Sequence, residues 1–387
     1  MSDPFADIRP YRDAEVAVVL SRLLDNSEFL AALAAYRLGR LASLMPNLMR
    51  SLVRYRLASE VRGVADVRSM QVIIERYMTR MIEGATSGFS VSGLEQLKPV
   101  RPHLYMSNHR DIAMDPAFTN YALHHGGYET ARIAIGDNLL SKPWVSDLMR
   151  LNKSFIVRRS VNGPRELLAA SKLLANYIRH SLLLENSAVW IAQREGRAKD
   201  GIDRTEPVVI KMLSMSRDKS KCDFGAHIEG LGIVPVAISY ELDPCDAMKA
   251  KELFEKATKG CYEKAEQEDI ASIAKGIAGD KGRVHVSFGT PLGCNLNTPD
   301  AVANEVDRQI ITEYCLHPTN LYAYSRLYGS DALIATGFRV EEGSYSEAAF
   351  DARIAAMPAA HRPFALGIYA NAVVRKLALA ENLPTPC

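Results

Sequence analysis

The chain has 387 residues, of which 48% are hydrophobic, and its formal net charge is +2. This length and apolar fraction can bury a sizeable core, and 24% charged residues with so small a net charge argue against a disordered chain or one that attracts nucleic acid. The six cysteines lie far apart without a CxxC pair, so we expect neither a disulfide framework nor a metal site, and a reducing cytoplasm fits best.

The first 88 residues have the periodicity of helices. Within them, residues 29–59 include no carboxylate, and Pro46 interrupts the segment where a helix should kink or restart. A basic amphipathic helix of this kind suits an anionic membrane surface, with its apolar side among the acyl chains. The alternative is a helix that packs on its own domain and pairs its arginines with carboxylates elsewhere. The arginines of this segment are Arg37, Arg40, Arg50, Arg54 and Arg56.

Residues 89–295 alternate short β-rich runs with helical patterns, which predicts an α/β domain whose sheet is covered by helices on both faces. The run 232–238 is apolar almost throughout, as expected of a strand buried on both sides. Residues 284–288 alternate instead, which predicts an edge strand with His285 facing solvent. The predicted strands are 103–107, 132–135, 154–157, 188–192, 232–240 and 283–288.

Residues 296–387 are helical in pattern again and contain no candidate site. We therefore expect three regions: a helical N-terminal region (1–88), an α/β domain (89–295) and a helical C-terminal extension (296–387).

The first segment with recognisable chemistry is 107–116, at the end of a predicted strand. Asn108 and His109 are followed there by two carboxylates, Asp111 and Asp115. A histidine held by an acid can act as a general base. The structural alternative is a solvated turn in which Asp115 caps the next helix and Pro116 occupies the first helical position.

Three further segments also lie close to the ends of predicted strands. Residues 152–159 end in two arginines, residues 193–199 form a basic turn, and the apolar run 233–238 contains Pro235. A proline removes a hydrogen bond from a sheet ladder, so Pro235 predicts an edge strand or a bulge. Each of these segments also has an ordinary structural explanation, but they occur together and in a fixed order.

In order and spacing, the four segments resemble the four motif blocks of the glycerolipid acyltransferase family. In the first block, five residues instead of four separate the histidine from the aspartate. In the second, Asn152 replaces a glycine, which is compatible with a positive φ. The third block is one residue short, so the chain resembles a divergent branch. The matching residues are Asn108, His109, Asp115 and Pro116; Asn152, Phe155 and Arg158; Glu195, Gly196 and Arg197; Val234, Pro235 and Val236.

The resemblance implies a mixed sheet flanked by helices, as in glycerol-phosphate acyltransferases. It also implies transfer of a fatty acyl group from acyl-CoA or acyl carrier protein to the hydroxyl of a lysophospholipid or glycerol phosphate. His109 would be the general base and Asp115, preferred over Asp111, its acidic partner. No cofactor or metal is implied. The substrate-binding residues would be Asn108, Phe155, Arg158, Arg159, Glu195, Gly196 and Arg197.

Two alternatives remain open at this point. The acceptor could be a lyso-aminolipid such as an ornithine or glycine lipid, or the chain could be a lipid-binding protein without catalysis. No apolar run approaches the roughly 20 residues of a membrane-spanning helix, and the polar start of the chain does not resemble a signal peptide. We therefore expect a cytoplasmic protein that binds the anionic inner face of a membrane peripherally and binds no nucleic acid.

Overall fold

The computed structural model describes residues 3–39, 44–97, 101–140, 142–265, 268–329, 338 and 340–381, so Arg40 lies outside the described residues. The chain forms two compact units, one of residues 1–79 with 132–177 and one of residues 80–131 with 178–387. The three regions expected from the sequence, with boundaries at residues 88 and 295, stay a prediction.

The first unit contains the N-terminal helices α1 (Asp13–Asp25), α2 (Ser27–Leu38) and α3 (Pro46–Glu60). Pro46 is the first residue of α3, so the helix restarts there as predicted, because the first turn has no use for the missing N–H. The unit also contains α6 (Pro143–Leu151) and the parallel strands β3 (Arg132–Gly136) and β4 (Ser154–Val157). Its apolar core includes Val16, Val19, Leu20, Leu23, Phe29, Leu30 and Val53.

The arginines of the basic segment are partly paired within this unit. Arg37 forms an ion pair with Glu60, at 3.4 Å, and Arg54 forms one with Asp25, at 2.9 Å. Val53 of α3 packs into the core. The structural alternative for this segment is therefore correct for one side of α3, while the opposite side, described below, is exposed.

The second unit is built on the strands β1 (Gly88–Ser92), β2 (Leu104–Ser107), β5 (Val189–Ala192), β6 (Ile233–Tyr240) and β7 (Arg283–Phe288). Their order is β1-β7-β6-β2-β5, and only β6 and β7 run antiparallel among these neighbours. The sheet is mixed and flanked by helices, which confirms the predicted fold class.

The prediction that residues 283–288 form an edge strand with an exposed His285 is wrong. Strand β1, which the sequence analysis missed, pairs with the outer side of β7. His285 is 1% exposed, and the hydroxyls of Ser90 and Ser92 lie 2.7 and 2.9 Å from its two ring nitrogens. The alternation in β7 therefore reflects a buried polar cluster instead of a solvated face.

Pro235 marks neither an edge nor a bulge, because β6 lies between β2 and β7. The β7 ladder ends at the pair of Val236 with Phe288, and the Pro235 carbonyl accepts the N–H of Gly289 just beyond it. In an antiparallel pair the N–H and C=O of a residue face the same neighbour. The missing N–H of Pro235 would face Gly289, so the proline removes one hydrogen bond at the end of the ladder and none from its interior.

The remaining helices cover the sheets or extend the chain. Several begin on a proline, because the first turn of a helix has no use for the missing N–H. In the second unit, α15 packs against α10 and α13, and α12 packs against β6. The helices not yet named are α4 (Val67–Ala85), α5 (Met114–His125), α7 (Pro164–Leu183), α8 (Pro207–Ser214), α9 (Phe224–Leu231), α10 (Asp246–Lys259), α11 (Glu268–Ala278), α12 (Pro299–Glu313), α13 (Pro318–Tyr328), α14 (Glu347–Ala355) and α15 (Arg362–Glu381).

Candidate active site

His109 and Asp115 form a hydrogen-bonded pair in the turn between β2 and α5. The ring Nδ1–H of His109 donates to Oδ2 of Asp115 over 2.8 Å. The Asp115 side chain is fully buried, whereas 14% of the His109 side chain is exposed. Because Nδ1 is occupied, Nε2 is the ring nitrogen that can accept a proton from a bound molecule.

The Asp115 carboxylate accepts three further hydrogen bonds. The backbone N–H groups of Arg110 and Asp111 donate to Oδ2 over 2.7 and 2.9 Å, and the hydroxyl of Tyr240 donates to Oδ1 over 2.5 Å. Burial, together with the neighbouring Asp115, raises the pKa of Tyr240 well above its usual value, so this hydroxyl stays a donor. The carboxylate is therefore fixed in orientation, and it fixes the His109 ring in turn.

Asp111 has a different position, because it lies two residues before Ala113, the N-cap of α5, and binds the backbone at the start of that helix. Its Oδ1 accepts the backbone N–H groups of Ala113 and Met114 over 3.0 and 2.9 Å. The structural alternative, in which Asp115 caps the helix and Pro116 is the first helical residue, is therefore wrong: Pro116 is the third residue of α5. Burial and the nearby Asp115 raise the pKa of Asp111.

Asn108 and Arg110, on either side of His109, are both held by Asp203. The Asn108 amide donates to Oδ2 of Asp203 over 3.2 Å, and the Arg110 guanidinium donates to the same oxygen over 3.1 and 2.7 Å. Asn108 also joins β2 to β6, since it exchanges two hydrogen bonds with the backbone of Ile238. The buried Asn108 thus positions the turn. Burial acts to lower the pKa of Arg110, but the charge of Asp203 outweighs this effect and raises the pKa.

The predicted basic turn after β5 contacts the His109 turn directly. The N–H of Ala198 donates to the carbonyl of His109 over 2.8 Å. Gly196 has a φ of 72°, a left-handed conformation that favours glycine, and both it and Glu195 are exposed. The Arg197 side chain is 7% exposed, with its guanidinium 3.8 Å from Asp269. The first and third motif segments therefore meet in the second unit.

The residues of the second motif segment belong to the first unit. Phe155 is fully buried, with its ring 5.1 Å from that of Tyr177. Arg158 is 42% exposed on its side chain and lies 3.2 Å from Asp7. Arg159 is exposed, and its backbone N–H donates to Asp137 over 3.1 Å.

Asparagine is compatible with a positive φ, but Asn152 does not adopt one. It has a φ of −87° and follows the last residue of α6, whereas Lys153 has a φ of 57°. The left-handed residue of this turn therefore lies one position after the residue that replaces the motif glycine.

Three residues around His109 were missed by the sequence analysis. Tyr240 is the polar end of a predicted apolar strand, which is a signal that could have been used. Trp190 lies in a predicted strand, with its ring centroid 6.0 Å from that of His109. Asp203 is one aspartate in a loop, and nothing in the sequence distinguishes it.

Comparison with known proteins bears on the same region. Residues 88–239 match the family model described as Acyltransferase, and this range contains every predicted site residue. Comparison with curated proteins gives no match. Among solved structures, the chain is similar to the 1-acyl-sn-glycerophosphate (LPA) acyltransferase PlsC from Thermotoga maritima, with 14% identity and a TM-score of 0.37. That similarity covers 74% of this chain and 95% of the other.

Proposed function

We propose that this chain transfers a fatty acyl group from a thioester to the hydroxyl of a membrane lipid, because residues 88–239 match the acyltransferase family. The observation that carries the proposal is the His109–Asp115 pair, in which a buried carboxylate orients a partly exposed imidazole. A binding protein without catalysis has no need of this arrangement.

His109 acts as the general base in the proposed reaction. Its Nε2 removes the proton from the acceptor hydroxyl as the oxygen attacks the thioester carbonyl. The tetrahedral intermediate then breaks its carbon–sulfur bond, and the leaving thiolate takes the proton back from Nε2. Asp115 keeps the ring in the required tautomer and stabilises the imidazolium, as the acid does in a serine-hydrolase triad.

The acceptor in this proposal carries a phosphate, as in a lysophospholipid or glycerol phosphate, and the donor is acyl-CoA or acyl carrier protein. Arg158, Arg159 and Arg197 supply guanidinium groups suited to phosphate oxygens, and Glu195 orients the acceptor. In support, Arg158 forms an ion pair with Asp7, whose side chain is 83% exposed. A pair so exposed contributes little and is easily replaced by a ligand.

Purified protein incubated with labelled acyl-CoA and a panel of lysolipids tests the proposal. We expect an acylated product from a phosphate-bearing acceptor, and loss of a general base in His109→Ala should lower turnover by about 10²-fold or more. Equal turnover by folded His109→Ala protein would exclude the mechanism. Preference for a lyso-aminolipid would replace the phosphate acceptor, and no product with any acceptor would favour a lipid-binding protein.

We further propose that α3 binds the protein to the membrane surface. No helix among the described residues has the length and apolar content that a membrane crossing requires. Met45, Leu48, Leu52 and Tyr55 are 50, 56, 42 and 73% exposed. Their spacing of three and four residues sets them along one side of α3 and its N-cap, away from the side on which Val53 packs. An exposed apolar row beside arginines is typical of an interfacial helix.

Co-sedimentation with vesicles tests the role of α3. The double variant Leu48→Glu/Leu52→Glu should remain in the supernatant with anionic vesicles at low salt, where the wild type pellets. The control is Val18→Glu, which changes an apolar side chain that is 65% exposed on α1. Full pelleting of the double variant, or equal release by the control, would show that α3 is not the membrane-binding element.

A further inference from the structure

The loop formed by residues 200–205 is anchored to helices from outside the acyltransferase match. Asn371 of α15 donates to the carbonyl of Asp200 over 2.8 Å. Asp307 of α12 accepts both the backbone N–H and the hydroxyl of Thr205, each over 2.7 Å. Both ends of the loop are therefore held by residues more than 60 positions beyond residue 239, where the family match ends.

The middle of the loop is held by close packing. Gly201 has a φ of 77°, and a Cβ built on it would lie 2.2 Å from the carbonyl oxygen of Ile368 in α15. Because that oxygen belongs to a helix backbone, it cannot move aside as a side chain can. The close approach requires glycine, and it fixes the distance between the loop and α15.

The same loop holds the turn that carries His109. Asp203 accepts hydrogen bonds from Asn108 and Arg110, and the Arg110 guanidinium also donates to the carbonyl of Gly201 over 3.2 Å. Loop 200–205 thus connects helices α12 and α15 to the two neighbours of His109.

A second path reaches the turn from the C-terminal helices through α10. Lys249 donates to the Arg110 carbonyl over 2.7 Å and pairs with Asp243. The N–H of Asp243 in turn donates to the hydroxyl of Tyr369 over 3.1 Å. That hydroxyl donates to Asp246, which is also paired with Arg353 of α14.

We propose that the C-terminal helices, α12 to α15, are a positioning element of the active site. They hold the His109 turn through loop 200–205. The inference rests on the proposed function and adds a role for a region outside the acyltransferase match. General-base catalysis depends on the base lying within hydrogen-bond reach of the proton it removes, and a displacement of about 1 Å can cost on the order of 10²-fold in rate. Variants that loosen the loop should therefore lower kcat while the protein remains folded.

The test uses a matched pair of variants at Thr205. Thr205→Val removes the hydroxyl that donates to Asp307 at nearly constant volume, while Thr205→Ser keeps it. Asn371→Ala removes the second anchor. Arg326→Ala is the control, because it breaks exposed ion pairs between α13 and α14, with Glu347 and Asp351, whereas the loop is anchored by α12 and α15.

The measurements are kcat, KM for both substrates, the thermal midpoint, and the titration of the His109 ring by NMR. We expect Thr205→Val and Asn371→Ala to lower kcat by about tenfold with little change in KM. Both should shift the His109 titration, while Thr205→Ser and Arg326→Ala should match the wild type in kcat and titration.

Three other results would contradict part of this reasoning. If the wild type is active, His109→Ala is inactive, and Thr205→Val and Asn371→Ala turn over normally, the positioning role is refuted while the proposed function stands. A loss of kcat that only follows the folded fraction, with an unshifted His109 titration, also refutes it. Absence of acyl transfer in the wild type refutes the proposed function instead, and the His109 titration then still reports whether the loop positions the ring.

Discussion

Replacing Asp115 with asparagine tests the electrostatic part of the mechanism while preserving shape. The Oδ1 of asparagine can still accept the hydrogen bonds that Oδ2 of Asp115 accepts from His109, Arg110 and Asp111. The amide group can then face the hydroxyl of Tyr240, which reorients to accept from it. The fold and the position of the ring should therefore survive, and the negative charge beside the imidazolium is lost.

The size of the effect follows from the contact distance. With charge centres about 4 Å apart and an effective dielectric constant of about 20, the pair contributes about 4 kcal/mol. Asp115→Asn should accordingly lower kcat by about 10³-fold, and aspartate-to-asparagine exchange costs about 10⁴-fold in a serine-hydrolase triad.

Asp111→Asn is the matched control, since Asp111 binds the backbone at the start of α5 and does not contact His109 in the described structure. The Oδ1 of asparagine can accept the same two backbone hydrogen bonds, so we expect kcat within about threefold of the wild type. Initial rates with labelled acyl donor, together with circular dichroism to verify folding, decide between the two carboxylates. Equal losses in both variants, or a folded Asp115→Asn protein that keeps a third of its kcat, would refute the reasoning.

Three further predictions concern other residues. Tyr240→Phe leaves the buried Oδ1 of Asp115 without its donor and should lower the free energy of unfolding by about 1–3 kcal/mol in denaturant titrations; unchanged stability would contradict this. Burial lowers the pKa of His317 to about 4. Since the unfolded chain takes up this proton near pH 6.5, the free energy of unfolding should fall by on the order of 3 kcal/mol as pH decreases from 6.5 through 4, and His317→Gln should flatten the curve. Arg158→Ala and Arg197→Ala should raise KM for a phosphate-bearing lysolipid more than they lower kcat. An unchanged KM in acceptor titrations would exclude phosphate binding by these arginines.

The sequence by itself predicted what depends on local chemistry. Six of the strands lie where runs of apolar residues indicated them, and Pro46 begins a helix because its fixed φ suits the first turn. The order and spacing of the motif segments also identified the region that matches the acyltransferase family. The strands and the helix start require only residues that are close together in the chain, and the motif segments require only their order and spacing along it.

Only the tertiary structure decided which side chains surround His109. Tyr240 meets Asp115 across 125 positions of sequence, and Asn108 meets Ile238 across 130. Strand β1, whose pairing buries His285, contacts β7 across 195 positions. The periodicity of the sequence does not indicate such partners, because the energy of a buried polar group depends on which donor or acceptor the fold brings to it. Asp203 is the clearest case: an ordinary loop aspartate becomes a positioning residue because the fold brings Asn108 and Arg110, 95 and 93 positions away in the chain, to its carboxylate.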